Sequence, residues 1–317
     1  MKFFVFNFDT CKHMISSFLE SASLAHNKEK NNEDWFYWKF RDNPFGESII
    51  VCAEDESKIV GCVAYGIQEF WLNDEKIRGV LSFETFVHPA FQGKGIFSNL
   101  VQLGEETVKS KGFDLMLNFP NSNSLRGFIK AGWKSIEGPE YWIKGKNLWN
   151  VLFNYKHICL GFKPNKSNIN LLTMPKGFKQ NTSQQVTSVI TADYLRWRFF
   201  TYPVTEYVVV DSKDFYSIIR MGSRGKSREG QVLFIQTKIS DGFKINDFIK
   251  DCKVRANFDI LSFSISKTNK IRNLLKKSFF LKVPNKANIC YKILNEAIIK
   301  EEDVRDISLN AINYHTY

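Results

Sequence analysis

The chain has 317 residues, of which 44% are hydrophobic, 15% aromatic and 24% charged, a composition that indicates a packed globular protein and argues against disorder. Of the 44 basic and 33 acidic residues, 17 and 19 lie in residues 1–150, so this part carries −2 and the remainder +13. No apolar run reaches the roughly 20 residues of a transmembrane segment, and the short apolar start lacks a signal-peptide cleavage site. The six cysteines form no C-x-x-C pair, so we expect buried thiols in a reducing cytoplasm and no metal site.

The first half alternates between strand and helix patterns. Apolar runs predict strands at residues 2–7, 48–53, 58–68, 76–88, 113–119 and 133–136, and helical spacing predicts helices at residues 34–41, 96–111 and 124–130. The turn residues 54–57 and Asn73-Asp74 separate successive strands. We therefore expect antiparallel hairpins between the second, third and fourth strands.

The second half repeats part of this order. Residues 146–180 are rich in Pro, Gly, Asn and Lys and are predicted to be a linker. Beyond them, residues 193–199 match residues 34–40 in the order of acidic, aromatic and basic side chains. We therefore predict one domain at residues 1–145 and a second at residues 181–317.

A second match supports an internal duplication. Residues 268–279 resemble residues 122–133, with an Asn, an Arg and a Lys at the same offsets and with Phe279 in the place of Trp133. Two matches in the same order favour a repeated fold over chance similarity.

The strongest chemical motif spans residues 84–97, where a predicted strand ends at a proline and a glycine loop opens into a helix. Gly93 and Gly95 allow the backbone to approach an anion without a Cβ clash. The N–H groups at a helix start can bind phosphate oxygens, and Lys94 adds a positive charge. The motif predicts a pyrophosphate site, although an ordinary strand–helix turn can also carry Gly-x-Gly.

This stretch resembles the pyrophosphate loop of the GNAT acetyltransferases, (Gln/Arg)-x-x-Gly-x-(Gly/Ala), which follows a long strand ending in Val-x-Pro. A second landmark of that family resembles residues 121–133, where an Asn precedes a helix ending in Lys-x-Gly-aromatic. The resemblance covers residues 45–140. It implies an α/β fold of two tandem GNAT-like domains, each a mixed twisted sheet flanked by helices, with acyl-CoA bound by the first domain. The second domain lacks the loop and is expected to be degenerate.

The resemblance also assigns roles to individual residues. It implies that acetyl-CoA is bound by the backbone amides of Phe86 and Val87, by the loop residues Gln92, Gly93, Lys94, Gly95, Ile96 and Phe97, and by Asn121 and Asn123. Phe97 departs from the family because a small residue is usual there, and it is expected to narrow the approach to the pyrophosphate.

A few side chains are candidates for catalysis. Glu84 lies where many family members carry the base that receives the amine proton; the alternative is a carboxylate at the edge of the cleft that pairs with a Lys or Arg. His88 is a second candidate on the same strand; the alternative is that it marks the strand end before Pro89. Phe128 replaces the Tyr that protonates the departing thiolate in many members, so Ser124, Ser122 or water would have to supply that proton.

These features predict transfer of an acyl group, acetyl by preference, from acyl-CoA to a primary amine. The basic second half suggests an anionic small-molecule acceptor, such as a nucleotide-linked amino sugar for surface polysaccharide. One alternative is a Fem-like transferase that uses aminoacyl-tRNA, against which the intact loop argues. Another is a non-catalytic module that binds coenzyme A or nucleic acid.

Overall fold

The structure, a computed structural model, describes residues 1–146, 161–165, 183–201, 205–237, 244–284, 287–309 and 311–314. These residues form two compact units that do not follow the predicted domain boundaries. Unit 1 comprises residues 1–137, 183–197 and 287–306, and unit 2 comprises the other described residues. Most of the predicted linker, residues 147–160 and 166–180, lies outside the described residues.

The elements of the first half match the predicted order and add one helix and one strand. They are β1 (Lys2–Val5), α1 (Ile15–His26), α2 (Glu33–Phe40), β2 (Ile49–Asp55), β3 (Lys58–Leu72), β4 (Glu75–Val87), α3 (Ile96–Ser110), β5 (Leu115–Asn118), α4 (Ser122–Lys130), β6 (Lys134–Glu137) and β7 (Glu140–Gly145). Short 3-10 turns lie at Lys12–Met14 and Pro89–Phe91. Helix α1 and strand β7 are the regular elements of this half that the sequence patterns above do not include.

The second half follows with helices that are mostly shorter. Its elements are β8 (Lys163–Pro164), β9 (Thr187–Ser188), α5 (Ala192–Arg196), a π-helical turn (Trp197–Thr201), β10 (Tyr207–Asp211), β11 (Phe215–Arg224), β12 (Ser227–Thr237), α6 (Ile245–Arg255), β13 (Ile260–Ile265), α7 (Ile271–Lys277), β14 (Leu281–Val283), β15 (Asn288–Ile293), α8 (Glu301–Arg305) and α9 (Ala311–Tyr314). Among the described residues, no helix is long and apolar enough to cross a membrane.

The sheet of unit 1 is mixed, with the strand order β1-β2-β3-β4-β5-β15-β6 and the short β9 beside β3. Strands β1 to β4 pair antiparallel, whereas β4 and β5 run parallel. The two predicted hairpin turns are confirmed, because Glu56, Ser57, Asn73 and Asp74 all have positive φ, as tight two-residue hairpin turns require. Strand β4 therefore lies in the middle of this sheet, where it separates an antiparallel half from a parallel neighbour.

The sheet of unit 2 has the same plan, with the order β10-β11-β12-β13-β7-β14 and the short β8 beside β11. Strands β10 to β12 pair antiparallel and β12 runs parallel to β13, as β4 does to β5. Each unit thus contains a mixed sheet flanked by helices.

The two halves of the sequence exchange one strand. Strand β15 lies between β5 and β6 in unit 1, and β7 lies between β13 and β14 in unit 2. The predicted boundary at residue 145 therefore differs from the structure, because β7 follows unit 1 in the chain but pairs within unit 2. Residues 183–197 also belong to unit 1, where β9 pairs with β3.

The first sequence match has a structural counterpart. Asn32 caps α2 by accepting a hydrogen bond from the N–H three residues later, and Thr191 caps α5 in the same way. The indole of Trp38 donates to the carbonyl of Trp197 at 2.8 Å, and the indole of Trp197 donates to the carbonyl of Trp38 at 2.7 Å. Equivalent residues of the two matched segments therefore make equivalent contacts.

The second match holds with a correction of one residue. Phe280, and not Phe279, is the counterpart of Trp133, because both are buried and both N–H groups donate to a carbonyl five residues earlier at 3.0 Å. Phe279 takes the place of Gly132, has a left-handed φ of 58° and is 83% exposed. The shift of one residue is already present at Leu275, the counterpart of Phe128, so it arises before the last turn of α7.

Candidate active site

The first feature of the site is a gap between β4 and β5. Their parallel pairing ends at Ser82 and Asn118, where β5 stops, whereas β4 continues to Val87. The N–H of His88 donates to the carbonyl of Val60 on β3 at 2.8 Å, so alternation along the strand turns the Val87 N–H toward the open edge. Val87 thus presents a backbone donor where a carbonyl oxygen could bind.

The same alternation separates the two amides predicted to contact the donor. Phe86 pairs with Cys62 on β3, so its N–H faces the sheet and not the gap. The Val87 carbonyl accepts a hydrogen bond from the Gln92 side chain at 3.2 Å. Gln92 therefore ties the end of β4 to the glycine loop.

The glycine loop has the geometry of an anion site. Gly93 and Gly95 have φ values of 77° and 74°, and a Cβ added at either would meet nothing within 4 Å, so the loop surface is open. Gly95 is the N-cap of α3 and offers no side chain to the helix N–H groups, and the first turn carries no acidic residue. Lys94 is exposed, with its Nζ 4.8 Å from the Phe91 ring centroid. The N–H groups at the start of α3, the positive end of the helix dipole and the Lys94 ammonium thus lie together beside open backbone.

Phe97 points away from this loop. Its ring lies against α4, where a Cβ added to Gly127 would approach Phe97 Cε1 to 2.4 Å, and it contacts the Phe128 ring at a centroid distance of 5.3 Å. The predicted narrowing of the pyrophosphate approach by this side chain therefore has no support in its packing. Phe128 is fully buried and also contacts Trp133, so it is part of the core.

The residues at the start of α4 bond to one another. The Asn121 side chain accepts from the Ser124 N–H at 3.0 Å and from the Ser124 hydroxyl at 3.2 Å, which caps the helix. Ser124 is therefore held at the cap, away from a free proton-donor role in this conformation. The side chain of Asn123 lies outside the described residues.

Glu84 occupies a β-bulge. The register passes from the pair Ala64–Phe83 to the pair Cys62–Phe86, so β4 has one more residue than β3 at this point. Glu84 has a left-handed φ of 46°. The bulge redirects the carboxylate toward α1 and α2.

Both Glu84 oxygens are engaged there. Lys39 Nζ lies 2.5 Å from Oε2 and His26 Nε2 lies 3.0 Å from Oε1, with side-chain exposures of 3% for Lys39, 12% for Glu84 and 35% for His26. Burial would raise the pKa of the Glu84 carboxyl, but the Lys39 charge and the hydrogen bonds from His26 and Lys39 outweigh it and lower that pKa from 4.5 to about 2. Glu84 is thus a firmly ionised, paired carboxylate.

His88 is engaged in the turn after β4. Its Nδ1 accepts from the Ala90 N–H at 3.2 Å, and its ring contacts Phe91 edge-on. This contact accounts for one ring nitrogen and fixes the ring to the 3-10 turn.

Two residues of the Glu84 cluster, His26 and Lys39, fall outside the set predicted from sequence. His26 is the last residue of α1, and a signal for that helix exists because its buried apolar residues follow helical spacing: Ile15, Phe18, Leu19 and Ala22. Lys39 lies on the predicted α2, but nothing local marks it as buried. Its Nζ lies 4.4 Å from the Trp35 ring, so an aromatic side chain shares its burial.

Comparison with known proteins finds one matching family model and solved structures of the same fold. Residues 12–133 match the family model described as the acetyltransferase (GNAT) family. Three solved structures share the fold, each aligned over 93% of this chain. A GCN5-related N-acetyltransferase from Anabaena variabilis has 11% identity, a TM-score of 0.63 and 73% of its own chain aligned. A probable N-acyltransferase of unknown function from Enterococcus faecalis has 10%, 0.65 and 72%, and Eis1 from Mycobacterium abscessus has 9%, 0.59 and 74%. A search of curated proteins found no match.

The fold is therefore the mixed α/β class of the GNAT proteins, as predicted. Residues 12–133 match the acetyltransferase (GNAT) family model, and the solved structures share the fold of the whole chain. Within the described parts of the chain, no group of three or more His, Cys, Asp or Glu side chains is placed to hold a metal ion.

Proposed function

We propose that the protein is an N-acyltransferase that moves an acyl group, acetyl by preference, from acyl-CoA to a primary amine. The observation that carries the proposal is the continuity of two binding features along one strip of backbone. Val87 faces the gap beside β4, and the open glycine loop at Gly93 and Gly95 follows directly. A donor with a thioester at one end of a flexible arm and a pyrophosphate at the other fits this strip.

In this proposal the backbone performs most of the donor binding. The N–H groups from Gly93 to Phe97, together with the Lys94 ammonium, bind the pyrophosphate. The Val87 N–H binds the thioester end and stabilises the negative charge that develops on its oxygen during attack. Gln92 holds the loop against Val87, so the two ends of the donor site keep a fixed spacing.

The donor site is tested by isothermal titration of acetyl-CoA. Gly95→Asp should abolish binding, because it places a carboxylate against the pyrophosphate and fills an open backbone surface. Gly112→Asp is the matched control, because Gly112 has a similar φ of 71° but lies beyond the other end of α3. The Gly112→Asp protein should bind acetyl-CoA with wild-type affinity. Equal affinity of the two variants for acetyl-CoA would refute the site.

We propose further that the acceptor is an anionic small molecule, such as a nucleotide-linked amino sugar, and that the second half of the chain shapes its pocket or has a structural role. The support is the +13 charge of the second half. The acyl-transfer rate with a nucleoside-diphosphate-linked amino sugar should exceed that with the free amino sugar. A higher rate with the free amino sugar would contradict the proposal that the acceptor is anionic.

Ligand-induced thermal shift and thiol release distinguish the proposed enzyme from a Fem-like transferase and from a non-catalytic binding module. A Fem-like enzyme would be stabilised by tRNA and not by acetyl-CoA, whereas a non-catalytic module would bind acetyl-CoA without releasing thiol in the presence of amines. A ligand at 100 times its Kd raises the free energy of unfolding by about 2.7 kcal/mol, enough to detect by thermal shift. We place the reaction in the cytoplasm, as the cysteine distribution predicts.

A further inference from the structure

The Glu84 cluster contains a more suitable base than Glu84 itself. We propose that His26 is the general base of the acyl transfer and that Glu84 is a positioning residue that orients its imidazole. The inference rests on the proposed function, since it assumes that an amine attacks a thioester held beside Val87.

The position of His26 is fixed by the fold. Helix α1 is attached to β3 through Ser21, whose hydroxyl donates to the Ile59 carbonyl at 2.5 Å, and Ser17, whose hydroxyl accepts from the Ile59 N–H at 2.9 Å. Asn27, in the left-handed conformation, ends the helix directly after His26. The imidazole therefore sits on a rigid element and not on a loose loop.

The ring lies next to the strand that holds the proposed thioester. Its centroid is 6.1 Å from that of Phe86 in an edge-on contact, and Phe86 is the chain neighbour of Val87. The His26 side chain is 35% exposed, whereas Glu84 and Lys39 are nearly buried. Of the three groups, the imidazole is the one that an incoming amine can reach.

The hydrogen bond to Glu84 selects the useful tautomer. Nε2 faces the carboxylate at 3.0 Å, so the neutral ring carries its proton on Nε2 and leaves the Nδ1 lone pair available. Among the described residues, no hydrogen-bond partner of Nδ1 is present. The Lys39 ammonium pairs with the other oxygen of Glu84 and balances the charge of the carboxylate. Glu84 therefore orients the His26 ring as one member of an ion pair.

Glu84 is poorly suited to the base role that the sequence suggests. Both of its oxygens already accept hydrogen bonds, and its pKa of about 2 leaves little driving force for accepting an amine proton. It can instead stabilise the imidazolium that forms when His26 accepts that proton.

Acyl transfer proceeds by addition of the amine to the thioester and elimination of the thiolate. The amine lone pair forms the N–C bond to the thioester carbonyl carbon, and the carbonyl π pair moves onto oxygen near the Val87 N–H. His26 Nδ1 takes the proton from the amine nitrogen. The oxygen pair then reforms the carbonyl and expels the thiolate, which carries the C–S bonding pair, and the imidazolium returns its proton to the thiolate or to solvent.

The kinetic test uses the full chain, with thiol release from acetyl-CoA as the readout. The acceptors are a panel of primary amines, and hydrolysis of acetyl-CoA by water is measured if none of them reacts. His26→Ala should lower kcat by about 10²–10⁴ and leave the Kd for acetyl-CoA unchanged, and added imidazole should restore part of the rate. His13→Ala, an exposed histidine just before α1, is the matched control and should behave as wild type.

A double-mutant comparison tests the positioning role. Glu84→Gln should lower kcat less than His26→Ala, and the double variant should match His26→Ala alone, because Glu84 acts through the ring. If Glu84→Gln fails to fold because it leaves Lys39 buried without its partner, Glu84→Gln combined with Lys39→Met replaces it. If the reductions in kcat from Glu84→Gln and His26→Ala multiply in the double variant, Glu84 does not act through His26 and the positioning role is wrong.

A spectroscopic test is independent of the acceptor. The ¹⁵N spectrum of neutral His26 should show the Nε2–H form in the wild type, and this preference should weaken in Glu84→Gln. A wild-type ring with its proton on Nδ1, or a His26→Ala rate within threefold of wild type, would overturn the proposal. Wild-type protein that neither binds acetyl-CoA nor releases thiol would instead refute the proposed function.

Discussion

Acid should weaken unit 1 through Glu84. The pKa of this carboxyl is about 2 in the folded protein and 4.5 in its ordinary state, and each pH unit between the two is worth about 1.4 kcal/mol. The carboxylate therefore contributes about 3 kcal/mol to the stability of unit 1 at neutral pH. Because the folded pKa is the lower one, this stability is present above pH 4.5 and is lost as the pH falls toward 2. By pH 3 the loss should reach about 2 kcal/mol.

Native-state hydrogen exchange measures this locally, without requiring both units to unfold together. The free energy of opening for peptides covering β3 and β4 should fall by about 2 kcal/mol more in the wild type than in Glu84→Gln between pH 7 and pH 3. Glu47→Gln, at an exposed position, is the control and should follow the wild type. Parallel pH dependence of the wild type and Glu84→Gln would show that Lys39 and His26 do not hold the carboxylate in solution.

Three further predictions concern packing and strain. Gly127→Ala should lower the free energy of unfolding by about 1–3 kcal/mol, because its Cβ would overlap the Phe97 ring, and the loss should shrink when Phe97→Ala is also present; additive losses in a urea titration would contradict this contact. Tyr65→Phe should raise stability by about 1 kcal/mol, because the buried hydroxyl has no hydrogen-bond partner among the described residues; a lower melting temperature would reveal one. Phe279→Gly should raise the melting temperature by relieving about 1 kcal/mol of left-handed strain at little packing cost, since the ring is 83% exposed; a lower melting temperature would show that the ring packs.

The donor loop could be predicted from sequence because its signals are local. A proline after a long strand, two glycines and an apolar helix pattern lie within a few residues of one another, and each limits the backbone directly. The same holds for the hairpin turns at residues 54–57 and 73–74.

The Glu84 cluster could not be predicted because its members are distant in sequence. The bulge that turns Glu84 arises from the register between β3 and β4, which no single-strand pattern encodes. His26 and Lys39 acquire their roles only when α1 and α2 pack beside that bulge. Strict alternation along β4 places Glu84 on the expected strand but does not reveal its partners.

The position of β15 could not be predicted for a related reason. Its apolar residues identify a strand, but they do not identify the edge on which it pairs. Because repeats of similar sequence offer similar edges, the pattern is equally consistent with pairing inside its own half.

The exchange of β7 and β15 has a consequence for synthesis of the chain. The sheet of unit 1 stays incomplete between β5 and β6 until residue 293 has been made, roughly 150 residues after β6. At ~5–20 residues per second, this is a wait of roughly 10–30 s on the ribosome, during which two strand edges lack their neighbour. The protein encoded by a gene fragment that ends at residue 145 would always lack β15 between β5 and β6, and its β7 would lack both neighbouring strands. Each sheet therefore contains one strand encoded in the other half of the gene, so a cut between the halves removes a strand from both sheets.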